Sequence, residues 1–147
     1  NWDYAERVHA LYKAYDAGRI RFPGGVEDVS PYLAACDVLA FIGMTPHFAR
    51  PIFEAWAMKK PVCVLEMEGI STCVDDGGDG VVVKSPLPEA IGGALRTLLA
   101  DGALRKRMGE NGYQKSHACM DPSTSAAGLV AAIHDALGLP ACDKENS

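Results

Sequence analysis

The sequence predicts an α/β fold, a Rossmann-like parallel sheet flanked by helices and followed by a helical C-terminal segment. Three observations carry this. Residues 38–42 (Val-Leu-Ala-Phe-Ile) and 61–65 (Pro-Val-Cys-Val-Leu) are apolar runs without polar alternation, as in parallel strands covered on both faces. Helical patterns separate the runs, and strand–helix alternation marks a parallel sheet. After Pro88 the pattern is helical alone.

In chain order, Tyr4, Val8, Leu11, Tyr12 and Tyr15 share one face of an opening helix that Gly18 stops. Arg19-Ile20-Arg21-Phe22 alternates as a short strand and ends at Pro23-Gly24-Gly25. Ser30-Pro31 reads as an N-cap with Pro in the first helical position, opening a short helix to Ala35. Beyond strand 38–42, an irregular stretch leads to Pro51 and a helix containing Ile52, Phe53, Glu54, Ala55, Trp56 and Ala57. Strand 61–65 follows, then a short helix or turn at 71–74, the turn cluster Asp75-Asp76-Gly77-Gly78-Asp79-Gly80 and the strand Val81-Val82-Val83. Ile91, Ala94, Leu95, Leu98 and Leu99 line one late helix, Leu104 and Met108 a second, and Leu129, Val130, Ile133 and Leu137 a third. About four strands are expected, and the first unit is a helix with no strand before it. A doubly wound sheet usually opens on a strand, so its first β-α-β part is expected to be missing. Residues 1–140 are read as one partial domain and 141–147 as a polar tail.

With 147 residues, 48% of them apolar, the chain suits one domain with a sizeable core. A net charge of −5 argues against a nucleic-acid partner. No apolar stretch approaches the roughly 18 residues of a membrane-spanning helix. The first residues, Asn1-Trp2-Asp3-Tyr4, lack a signal-peptide pattern and an initiator Met, so a segment of a longer chain is expected. The five cysteines include no Cys-x-x-Cys pair, which reads as incidental thiols in a reducing cytoplasm and not as a zinc site. Asp75, Asp76 and Asp79 fail the calcium-loop spacing, and no Gly-Lys-Ser/Thr follows Gly80 to make a phosphate loop. Arg105, Lys106, Arg107 and Lys115 form a mild basic cluster, read as a solvated face, with anionic lipid as the alternative.

The informative stretch is residues 46–62, in which a loop delivers the chain to a helix N-terminus beside a buried strand. Unpaired amides and the helix dipole make such a terminus an anion site. Arg50 adds a positive charge suited to phosphate, although a solvated surface arginine would look the same. Glu54 is an acceptor suited to a vicinal diol such as a ribose, or merely a complement to the dipole.

These residues resemble the C-terminal domain of the GT-B glycosyltransferases, specifically the retaining family 4, also called glycosyl transferases group 1. That family's pattern, E-G-F-G-L-P-x-x-E-A-M-A-x-G-x-P-V, is met by Phe48, Pro51, Glu54, Ala55, Ala57, Pro61 and Val62. Co-linear blocks extend the likeness: Ile20 to Gly24 upstream, Ala35-Cys36-Asp37-Val38, then Gly69-Ile70, the segment from Val74 to Val82, and Leu98 to Asp101 with Leu104-Arg105 and Met108-Gly109.

The resemblance implies that Glu54 binds the ribose of a nucleoside-diphosphate sugar. It places backbone amides from His47, Phe48, Ala49, Arg50, Pro51 and Ile52 around the diphosphate and sugar, and Gly24, Gly25 and Val26 near the base. It further implies transfer with retention, no metal or other cofactor, and an N-terminal GT-B domain as the missing partner. The location implied is cytoplasmic, extending to the inner face of a membrane. A fragment of this kind is expected to bind donor weakly, turn over nothing, and risk dimerising through an uncovered edge strand. Some positions depart from the pattern. Pro46 replaces the first glutamate and has neither carboxylate nor N–H; His47 is either its substitute or an exposed loop histidine. Ala49 and Lys59 replace glycines, and Thr72 stands where glutamate is common. Two alternatives stay open, a non-catalytic nucleotide-sugar-binding or assembly module and a small self-contained nucleotide-binding domain.

Overall fold

A computed structural model describes residues 6–8, 10–12, 19–45, 49–120 and 122–138. Within them the order is α1 (Ser30–Ala35), β1 (Leu39–Phe41), α2 (Arg50–Ala57), β2 (Val62–Leu65), a 3₁₀ turn (Ser71–Cys73), β3 (Gly80–Val83), α3 (Pro88–Ala100), α4 (Gly102–Met120) and α5 (Pro122–Leu137). Residues 6–8 and 10–12 are helical, as the opening pattern predicts, while Gly18 lies outside the described residues.

The three strands form one parallel sheet in the order β1-β2-β3, with Leu39 opposite Val62 and Val62 opposite Gly80. Side chains alternate along a strand, so β2 feeds two cores. Val62 and Val64 join Leu33, Ile52, Ala55, Trp56, Ile70 and Val74 on one face. Cys63 and Leu65 join Val83, Leu98 and Met108 on the other. All four β2 residues are buried, whereas β1 lies at an edge with Ala40 exposed. Among the described residues no helix is long and apolar enough to cross a membrane.

The fourth expected strand is absent: Arg19, Ile20, Arg21 and Phe22 form exposed coil, with the Phe22 ring set edge-on to Tyr12 at 5.2 Å. A strand needs a partner for its main-chain groups. In the common doubly wound order the third strand pairs with the second, and the first separates them from the fourth. Among the described residues before Arg19 there is only helix, and the sheet of β1, β2 and β3 takes no strand from this segment. Other expectations shift as well. Ser30 is the first helical residue and not the cap. Val29 takes the cap position without a side-chain hydrogen bond, and Asp28 just before it accepts the Ser30 amide on Oδ1 at 2.8 Å; hydrogen bonds from the Ser30 side chain and amide hold the Asp28 carboxyl below its usual range. Leu99 is exposed, and so is the apolar face of α5 formed by Leu129, Val130, Ile133 and Leu137.

The end of α2 explains one departure from the family pattern. The Lys59 amide donates to Trp56 O at 2.8 Å and the Lys60 amide to Ala55 O at 2.9 Å, a Schellman ending that wants a left-handed residue between them. Lys59 takes that conformation, with φ 55°, at the position where the pattern has glycine. Its ammonium lies 2.9 Å from Glu110 and 4.6 Å from the Tyr113 ring centroid, and the Glu110 hydrogen bond raises its pKa. Lys59→Gly and Lys59→Ala both remove these contacts, so their difference isolates the backbone. The glycine variant should be the more stable of the two by about 1 kcal/mol in chemical denaturation; equal midpoints would contradict left-handed strain.

Four cysteines fall among the described residues, all free. Burial pushes the Cys63 and Cys36 thiols above their ordinary pKa, and Cys63 is fully buried while Cys119 is exposed. Because the thiolate is the reactive form, iodoacetamide should label Cys119 in the native protein and spare Cys63 until denaturant is added. Peptide mass mapping checks this; early labelling of Cys63 would contradict the packing of β2.

Candidate functional site

The loop after β1 ends at Ala49, where α2 begins at the carboxyl end of that strand, the side on which open α/β sheets bind ligands. Pro51 occupies the second helical position, where its lost N–H costs nothing. Ala49 caps the helix without a side-chain hydrogen bond and is itself buried. Ile52 is also fully buried, so neither side chain can touch a ligand and only their main chains can take part. The Ile52 amide already donates to Ala49 O at 3.0 Å, and Pro51 has no amide hydrogen. Among the described residues, the amides that could face an anion therefore narrow to those of Ala49 and Arg50.

Glu54 points away from the core. Its Oε1 lies 3.1 Å from Arg50 Nε, with side-chain exposures of 36% for the glutamate and 83% for the arginine. The pair is an i,i+4 contact on the helix surface, and its spacing is readable in the sequence once a helix is drawn there. Gly24, Gly25 and Val26 lie exposed in the loop before α1, and among the described residues no hydrogen bond or ion pair ties them to α2. Pro46, His47 and Phe48 lie outside the described residues. Gly43, which leaves β1, lies between the Phe41 ring and Ile70. The loops after β1 and β2 thus meet at the carboxyl edge, with Thr72 exposed on the 3₁₀ turn next to them.

Support for α2 comes from residues that no local pattern marks. The Trp56 Nε1–H donates to Asp79 O at 3.0 Å. The buried Asp79 carboxylate takes the Asp75 amide on Oδ1 at 2.9 Å and Lys115 Nζ on Oδ2 at 2.8 Å. Lys115 also lies 5.2 Å from the Trp56 ring centroid, within cation–π range. Asp76 Oδ1 accepts from the Val82 amide at 2.8 Å, so Asp76 and Asp79 act as acceptors within the turn before β3. The basic cluster breaks up: Lys115 is committed to Asp79, and Arg105 donates to Leu98 O at 2.9 Å and Leu99 O at 2.7 Å at the end of α3.

The family model for "Glycosyl transferases group 1" matches residues 1–115. The lipopolysaccharide core biosynthesis glycosyltransferase LpsE of Rhizobium meliloti is 34% identical over 98 residues, 67% of this chain and 29% of the relative. The D-inositol 3-phosphate glycosyltransferase of Corynebacterium glutamicum is 31% identical over 129 residues, 86% of this chain and 31% of the relative. The chain thus spans about a third of the length of these curated relatives. The crystal structure of Anabaena HepE in complex with UDP-glucose superposes with a TM-score of 0.76 at 23% identity, over 80% of this chain and 33% of that one, which shows the fold.

Proposed function

The chain belongs to the glycosyl transferases group 1 family, and from that premise we propose that it holds the donor, a nucleoside-diphosphate sugar, for transfer of the glycosyl group to an acceptor. One observation carries the reading: Glu54 stands part-exposed one turn into a helix that starts at the carboxyl end of a parallel strand. In this reading the carboxylate accepts hydrogen bonds from the ribose hydroxyls. The amides of Ala49 and Arg50, with the positive end of α2, face the diphosphate. As the bond from the anomeric carbon to the diphosphate oxygen breaks, negative charge grows on the leaving group, and fixed donors aimed there lower the barrier. The loop of Gly24, Gly25 and Val26 lies near the base, the acceptor is held by a separate domain, and transfer proceeds with retention and without metal. The chain alone binds donor weakly and does not turn it over.

UDP-glucose in the HepE structure makes uridine nucleotides the first probe. Titrating UDP into the ¹⁵N-labelled chain should move the amide signals of Ala49, Arg50 and Glu54. Shifts confined to α4 and α5, or none with any of the common nucleoside diphosphates, would sink the reading. A non-catalytic module of the same fold is favoured by one observation, proline at position 46 in place of the pattern's first glutamate. Hydrolysis or transfer of a nucleotide sugar by the natural protein that carries this chain would exclude that second reading.

A further inference from the structure

We infer that Arg50 is a positioning residue, holding Glu54 for the sugar ring of the nucleotide; the inference rests on the donor-site reading above. The guanidinium closes on one carboxylate oxygen, Nε to Oε1 at 3.1 Å, leaving Oε2 as the acceptor for a ring hydroxyl. Helix stability gives no reason for an arginine there. A cation in the first helical position opposes the macrodipole, and a basic residue four positions before an acidic one is the less favourable order for an ion pair. The first turn of α2 has no acidic residue to offset it. Packing gives no reason either, since the Arg50 side chain is 83% exposed. What the pair does supply is restraint. A glutamate has three freely turning bonds, and fixing one oxygen removes conformations that would otherwise be lost on binding.

The rival is direct contact between Arg50 and the diphosphate, and two ligands of equal charge separate them. UDP and 2′,3′-dideoxy-UDP share the diphosphate, but only UDP has the hydroxyls that Glu54 would bind; the guanosine and adenosine counterparts are run alongside. Arg50→Leu should weaken UDP by about three-fold, the size of an exposed charge pair, and leave the dideoxy ligand unchanged. In a Glu54→Ala background the same substitution should have no effect, and the melting temperature of Arg50→Leu should not fall. An equal loss for both ligands, additive with Glu54→Ala, assigns Arg50 to the phosphate and overturns the inference. Unchanged affinity for UDP overturns it as well. Failure of the parent chain to bind any of the diphosphates removes the donor-site reading, and the inference with it.

Discussion

Glu54→Ala should weaken nucleotide binding by about ten-fold or more and leave the fold intact. Hydrogen bonds to a charged group contribute about 1.5–3 kcal/mol each, and a ribose offers two hydroxyls to one carboxylate. The surroundings of Glu54 set the stability half of this prediction. Glu54 is part-exposed and its partner is one surface arginine, and surface ion pairs contribute about 0–1 kcal/mol. The variant should therefore melt with the parent chain. Calorimetric titration of the natural protein with UDP measures the affinity, and circular dichroism the melting point. Unchanged affinity would remove Glu54 from the donor site. A large drop in melting temperature would make it a structural residue, whatever the affinity did.

Gly109→Ala should lower stability by about 3 kcal/mol, equivalent to about 10 °C in the melting midpoint. A Cβ at Gly109 would overlap the Lys59 carbonyl oxygen and lie 2.6 Å from its carbon. Main chain cannot swing aside as a side chain can, so α4 would have to back away from α2. Gly112, one turn along, faces the same neighbour: a Cβ there would lie 2.5 Å from Trp56 Cγ and Nε1. The indole is pinned through its N–H to Asp79 O, so it has no alternative place. Gly128→Ala supplies the control. It sits in α5 with open space around the added carbon, and alanine there should be neutral or stabilising by up to about 1 kcal/mol. Equal effects at the two sites would show that helix propensity, and not close approach, decides the matter.

Much of this was legible from residue pattern alone. β2 could be read because four consecutive buried residues leave no polar alternation, and α2 because Pro51 and the buried set of Ile52, Ala55 and Trp56 fit one helical face. The segment at Arg19 to Phe22 was misread because alternation records only a strand's own preference, while the partner that would realise it lies elsewhere in a sheet. The exposure of the α5 apolar face has the same origin, since periodicity reports a stripe and not what covers it. At the site, the place of Glu54 followed from its spacing after Pro51. The spent amide of Ile52 and the Arg50 contact needed coordinates, as did the link from Lys115 to Asp79 across 36 residues. Lys59 is a sharper case. Its mismatch with a patterned glycine was visible beforehand, but only the 55° φ shows which demand the glycine ordinarily meets.

The two ends of α2 are held in different ways. Its tail is bolted down, with the Lys59 carbonyl against Gly109, Trp56 against Gly112, and the lysine's ammonium on Glu110. Its head starts at an alanine cap with no side-chain hydrogen bond, and Arg50 stands in solvent. Beneath Arg50, however, Ala49 and Ile52 are buried in the core, so the backbone of the head is held as well. A ligand arriving at the strand ends thus meets a first turn held from below, and only the exposed Arg50–Glu54 pair can rearrange without disturbing a core.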